Sequence, residues 1–419
     1  MYSFLRNCLF ILAPVGALFA QMEPPDFSHP VNYATAVQWA VARDPRVALA
    51  REEAEAAEGQ IEQADLPPNP IFGFDMENFW GSGPVDGAEG IEVTFAASQV
   101  IETAGKQQRR TTLARREREL VDWRYELIIA GIEADVRTSF VQLLLAQETM
   151  ELRQEQLALA EESARETTRL VEAARVPLLE QTRAELEIRK QRFALGQAER
   201  DLLATRTALA VLWGLAPAPE FTVDGEIQLE PELPVLREIL GRLSETAMLA
   251  QYAALARTRE AVLDLEKSNA APDLEIFAGG RYFNEGDGDF GFIAGFEIPI
   301  PVFDRNQGNI RTARAQLRAV EHEREVTRRA LLKSVSGAYQ ALTAAHAEAF
   351  AVQSELLEAA QQSLTDTQTG YERGQYNQLA VLESREMLFD IRETYLNALR
   401  RYAEAKAQLD ALTRPAKLN

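Results

Sequence analysis

Two hydrophobic periodicities divide this chain. Between Lys106 and Ala173 apolar and polar residues mix at helical spacing with no proline and a single glycine, Gly131. At 1.5 Å per residue that run predicts one helix of roughly 100 Å, too long for a compact globule. It is interrupted at Ala174-Arg175-Val176-Pro177 and resumes from Pro177 to Trp213; a second long run opens at Gly308-Asn309, is interrupted at Gly370-Tyr371-Glu372-Arg373-Gly374-Gln375 and resumes from Asn377 to Leu412. The resumed arms carry apolar residues seven apart: Leu179, Leu186 and Phe193 beside Leu195, Leu202 and Leu209, then Leu382, Phe389, Leu396 and Ala403 beside Leu388, Tyr395, Tyr402 and Leu409. Two adjacent heptad seams on one helix predict packing against neighbours on two sides.

The second periodicity is two. Phe72, Phe74 and Met76 alternate with Gly73, Asp75 and Glu77; Ile91, Val93 and Phe95 alternate with Glu92 and Thr94. Later in the chain Leu274, Ile276, Ala278 and Tyr282 oppose Glu275 and Arg281, with Phe277 breaking the polar face, and Phe290, Phe292, Ala294, Phe296 and Ile298 oppose Gly291, Gly295 and Glu297, with Ile293 the exception. Segments of about 9 to 11 residues have the length of a tilted membrane-crossing strand. Flexible polar turns join each pair, at Gly81 to Gly87 and Asn284 to Asp289. The Asp/Gly run of the second lacks the spacing and terminal Glu of an EF-hand loop and reads as a plain turn. Four strands in lipid leave two edges with unsatisfied backbone groups, so one chain cannot close a barrel. Pooling among protomers can, and three copies give twelve strands. The acidic residues of the polar face, Asp75, Glu77, Glu92, Glu275 and Glu297, are then candidates for a barrel lumen.

The order of these features is written twice. Leu66-Pro67-Pro68-Asn69-Pro70 and Ala271-Pro272-Asp273 each precede strand, turn, strand, long run, interruption and resumed arm. The organisation this implies is a signal peptide at 1–20, a first repeat at 21–213, a linker at 214–236, a second repeat at 237–413 and a short tail at 414–419.

Composition narrows the chemistry. With 44 Lys+Arg against 64 Asp+Glu the net charge is −20, and no local basic patch offsets it, which excludes nucleic acid as a partner. Met1 to Ala20 has a short start carrying Arg6, an apolar core and a small residue at Ala20, the pattern of a secretory signal peptide too short in its apolar core to span a membrane. Its removal takes Arg6 and Cys8, the sole cysteine, leaving 43 basic against 64 acidic residues and a net charge of −21. No disulfide or Cys-based zinc site follows, and His29, His322 and His346 are too far apart to suggest a ligand motif. No phosphate-cradling loop with Lys-Ser/Thr and no nucleophile elbow is present, so no enzyme activity and no cofactor are expected. Asp75 and Glu77 pair on one strand face, which a polar lumen explains without catalysis.

The arrangement resembles the TolC-like outer-membrane efflux proteins from about Tyr33 to Leu412. The segment from Glu297-Ile298-Pro299-Ile300-Pro301-Val302-Phe303 through Asp304-Arg305-Asn306-Gln307-Gly308-Asn309-Ile310, and Pro68-Asn69-Pro70 before the first strand, are similar to the CzcC-like branch that serves heavy-metal cation pumps. Tyr371-Glu372-Arg373-Gly374 through Leu382-Glu383 to Tyr395, Tyr402 and Leu409 is similar to the family's second periplasmic hairpin. The resemblance implies an α+β membrane protein: a long α-helical barrel in the periplasm, continuous with a twelve-stranded β-barrel shared by a homotrimer in the bacterial outer membrane. It implies docking at the helical tips to a periplasmic adaptor (membrane fusion) protein and to an inner-membrane efflux transporter of RND type. It also implies acidic residues just beyond the tips at the tunnel entrance. Glu180 and Glu383 occupy such positions, whereas Ala380 stands where an acid is often found. Arg175 and Arg373 either pair with those acids or are exposed toward the adaptor. The turns themselves, Ala174, Arg175, Val176 and Pro177 with Arg373, Gly374 and Gln375, are the candidate docking surface because tips are presented end-on. The function expected is passive conduction from pump to exterior, of divalent heavy-metal cations or of organic compounds; six Met and three His form no cluster suited to copper or silver. A periplasmic coiled-coil scaffold without a channel is the alternative.

Overall fold

A computed structural model describes residues 26–80, 83, 90–284 and 288–418; the expected signal peptide, most of the first strand-connecting turn and residues 285–287 of the second lie outside the described residues. Helices α1 (Tyr33–Arg43) and α2 (Pro45–Asp65) lead into strands β1 (Ile71–Glu77) and β2 (Glu92–Ile101), then α3 (Lys106–Glu172) and α4 (Leu178–Leu212). The order recurs with α5 (Leu236–Gly241), α6 (Ala247–Asn269), β3 (Leu274–Phe283), β4 (Asp289–Glu297), α7 (Gln307–Ala351), a π-helical turn (Val352–Leu357), α8 (Glu358–Glu372) and α9 (Gln378–Thr413).

Start and stop residues account for most boundaries. Asn32 accepts the Thr35 amide at 2.9 Å to cap α1, and Asp44 caps α2 ahead of Pro45. The 67-residue α3 follows two left-handed residues, Ala104 and Gly105. In the second half the left-handed position is taken by Asn306, so α7 starts at Gln307 and Gly308 lies inside it. An Asn tolerates that conformation and its side chain also donates to the Glu266 carbonyl at 2.7 Å. The interruption expected from Gly370 begins only at Arg373, because Gly370 still belongs to α8. Strand β1 has seven residues, shorter than the 9 to 11 expected, since Asn78 turns left-handed directly after it.

All four strands form one antiparallel sheet in the order β1-β2-β3-β4, the middle pairing β2 with β3 joining residues far apart in sequence, such as Ala97 with Ala278. Beyond the sheet the helices pack lengthwise: α4 lies along α3, and α9 contacts α3, α7 and α8. Two large cores hold them, beside a small one of Trp123, Ala247 and Ala254. One gathers Val136, Phe140, Leu143 and Leu209 around Trp213, whose indole N–H donates to the Ala36 carbonyl at 3.0 Å. The other gathers Leu145, Leu331, Val335, Leu342 and Leu409 with Tyr402. The segment after α4 ties back through a bridge between Val31 and Val223. Ion pairs Arg153–Glu393 and Arg385–Glu162 fasten α3 to α9 toward the helical ends. No helix among the described residues is long and apolar enough to cross a membrane.

Candidate functional site

The sheet sorts its side chains by chemistry. Register places Phe72, Phe74 and Met76 with Val93, Phe95, Ile276, Tyr282, Phe290, Phe292 and Phe296 on one face. Nothing among the described residues covers this face: Phe292 is 89% and Phe296 71% exposed. A soluble fold buries such a face, so its exposure marks contact with an apolar medium or partner. All five acids singled out from the sequence, Asp75, Glu77, Glu92, Glu275 and Glu297, fall on the opposite face, with Thr94 and Arg281. Phe277 breaks the polarity of that face for a packing reason: its ring lies over Gly295, where a Cβ would meet it at 2.6 Å. Arg281 donates to Thr94 Oγ1 at 2.9 Å and pairs with Glu92 at 3.1 Å and Glu77 at 3.6 Å, bridging three strands. Alternation put Arg281 on this face, but only the register gives it partners. Glu275 and Glu297 are direct cross-strand neighbours without an ion pair among the described residues.

At the far end of the helices the two turns share one backbone solution. Ala174 and Gly374 are left-handed, the Arg175 amide donates to the Leu170 carbonyl and the Gln375 amide to the Gly370 carbonyl, each at 2.8 Å. These are Schellman closures, which satisfy the last carbonyls of α3 and α8. Ala174, Arg175, Pro177, Arg373, Gly374 and Gln375 are exposed and Val176 is half-buried. Gly370 is fixed by contact, since an added Cβ would meet the Tyr376 ring at 2.2 Å.

Glu180 and Glu383 both line a cleft of about 600 Å³ formed by α3, α4 and α9. They are not equivalent positions: Glu180 is the third residue of α4, matched by Ala380 in α9, whereas Glu383 matches Arg183. Neither Arg175 nor Arg373 pairs with them. Arg183, one helical turn on, holds Glu180 at 2.8 Å, and Arg175 and Arg373 have no ion pair among the described residues. Sequence reading missed Glu386 on the same cleft, although its spacing of three from Glu383 was available. Burial pushes the Glu386 carboxyl up, with Glu187, Asp390 and Glu383 pushing the same way and Lys190 opposing. Among the described residues no three His, Cys, Asp or Glu side chains come close enough to hold a metal ion.

A sequence model described as outer membrane efflux protein matches residues 36–215 and 243–413. The chain is 28% identical to the cobalt-zinc-cadmium resistance protein CzcC of Cupriavidus metallidurans, over 95% of this chain and 93% of that protein. It is 24% identical to the nickel-cobalt-cadmium resistance protein NccC of Alcaligenes xylosoxydans xylosoxydans, over 78% and 74%. Among solved structures it superposes on VceC of Vibrio cholerae with a TM-score of 0.68 and 16% identity, covering 92% of this chain and 96% of that one. CusC gives 0.67 and 18%, covering 91% of each. At these identities the structures speak for the fold alone, that of outer-membrane channels.

Proposed function

Since the chain belongs to the outer membrane efflux protein family, we propose that it is the outer-membrane channel of a tripartite efflux system, a passive exit from an inner-membrane pump and periplasmic adaptor to the exterior. One observation carries this reading: a four-stranded sheet with an exposed apolar face, an acidic opposite face and two open edges. In lipid, open edges are untenable, and closure by repetition removes them. With an even number of strands per copy, β4 of one protomer meets β1 of the next antiparallel, so a homotrimer closes a twelve-stranded barrel whose apolar face meets lipid and whose acidic face lines water. The two separate stretches matched by the family support a duplicated unit, with repeats at 21–213 and 237–413 about a linker at 214–236. The exposed seam of α4, Leu179, Leu186 and Phe193, is then covered by a neighbouring protomer, completing a helical barrel in the periplasm.

In this assembly the turns at Ala174–Pro177 and Arg373–Gln375 present themselves to the adaptor, and Glu180 and Glu383 add negative charge near the tunnel entrance. The pump is of RND type and supplies the energy; this chain takes no part in a reaction. Divalent heavy-metal cations are the substrate class, supported by the relatives that confer cobalt, zinc, cadmium and nickel resistance and by an acidic face that attracts cations. Purified protein in a planar bilayer tests the reading. It conducts with cation preference, and the preference falls in Glu180→Gln and Glu383→Gln; absence of conductance in the unmodified protein overturns it.

A further inference from the structure

The strand register orders the charges of the acidic face along the sheet. One rung holds Glu77, Glu92, Phe283 and Asp289; the next holds Asp75, Thr94, Arg281 and Gly291. Glu275 and Glu297 share a rung six residues further along β3, about 20 Å away at 3.4 Å per residue. That separation exceeds the screening length of about 8 Å at physiological salt, so the two ends act as independent charge zones. The first zone carries four carboxylates against one guanidinium, and that guanidinium is engaged with Glu92 and Glu77. The second zone carries two carboxylates; Lys106, which lines the same cavity, is held by Asp273 at 2.8 Å.

Resting on the channel reading above, we propose that Arg281 determines charge selectivity in the strand-lined part of the passage. By holding Glu77 and Glu92 it offsets part of the negative field that the four carboxylates of its own zone present to the water. From β3 its guanidinium reaches over β2, where the Thr94 hydroxyl fixes it and keeps it from swinging to the other zone. Each closed trimer carries three copies, so the effect of one substitution is tripled around the lumen.

Reversal potentials across a potassium chloride gradient decide it. Arg281→Gln raises the cation-to-anion permeability ratio by about two-fold or more, because the carboxylates of its zone lose the one positive charge that offsets them. Arg281→Lys keeps the ratio of the unmodified channel, and the charge-compensated pair Arg281→Gln/Glu92→Gln brings it back toward that value although the bridge is gone. A conducting Arg281→Gln trimer with an unchanged reversal potential overturns the proposal and leaves Arg281 as a strand fastener. Should that variant fail to assemble, Glu77→Gln/Glu92→Gln decides alone: it frees the guanidinium, the ratio falls, and an unchanged ratio overturns the proposal. These outcomes are distinct from loss of the channel reading, in which the unmodified protein itself does not conduct.

Discussion

A carboxylate that loses water on folding records the loss in its titration. Burial pushes Glu148 up from its ordinary value, Glu151 and Glu226 add repulsion, and Arg392 only partly relieves it. A raised carboxyl value means that the ionised form burdens the native state at neutral pH, and that the burden lifts as pH falls through the raised value and the side chain takes a proton. Glu148→Gln is therefore expected to raise the melting temperature at pH 7.5, with the difference from the unmodified protein shrinking toward acid. Equal melting temperatures at neutral pH would contradict the assignment. At the second tip, Gly370 and Tyr376 are coupled by contact. Alanine favours a helix over glycine by about 1 kcal/mol, so Gly370→Ala gains stability in a Tyr376→Ala background and loses that gain when the ring is present. Thermal melts of the four proteins in that cycle check it. Single residues were the least legible scale in the sequence. Glu180 was found, but its partner Arg183 was not, because an i, i+3 pair is one of several options that only rotamers decide. Glu386 went unnoticed because nothing local announces that a helix from the other half of the chain will shelter it.

At the scale of elements the sequence was far more explicit. The absence of proline and the single glycine gave α3 within a residue, and alternation placed the five acids on the polar faces of their strands. What alternation could not give was the β2 to β3 pairing, since long-range register depends on the whole sheet. Nor could it give the π-helical turn that divides the 45-residue α7 from the 15-residue α8. The strand shortening at Asn78 was likewise hidden, because asparagine is compatible with several backbone conformations. Neighbouring residues on opposite faces offer a direct test of the sheet. Phe292→Arg places a charge on the apolar face and is expected to cost about 2 to 4 kcal/mol of folding stability in lipid if it lies near the bilayer centre. Ile293→Arg, one residue on and facing the acids, costs less. Urea unfolding of both variants in vesicles measures the difference, and equal costs would contradict a lipid-facing and a water-facing side.

At the scale of the whole molecule, a single chain leaves two surfaces unfinished: the apolar strand face with its open edges, and the outer seam of α4, where Phe193 is 71% exposed. The seam's companion, Leu202 and Leu209, is buried against the chain's own helices, so the two heptad seams read from the sequence separate into one internal and one outward contact. Substituting Leu186→Glu together with Phe193→Glu leaves the internal seam intact and is expected to shift the detergent-solubilised protein from trimer to monomer without loss of helix content, as read by size exclusion and circular dichroism. A twelve-stranded barrel pooled from four strands per copy requires three chains. Native mass spectrometry of the detergent-extracted protein is expected to give a single dominant species with the mass of three chains, whereas a monomer or dimer under the same conditions would contradict a barrel built from four strands per copy.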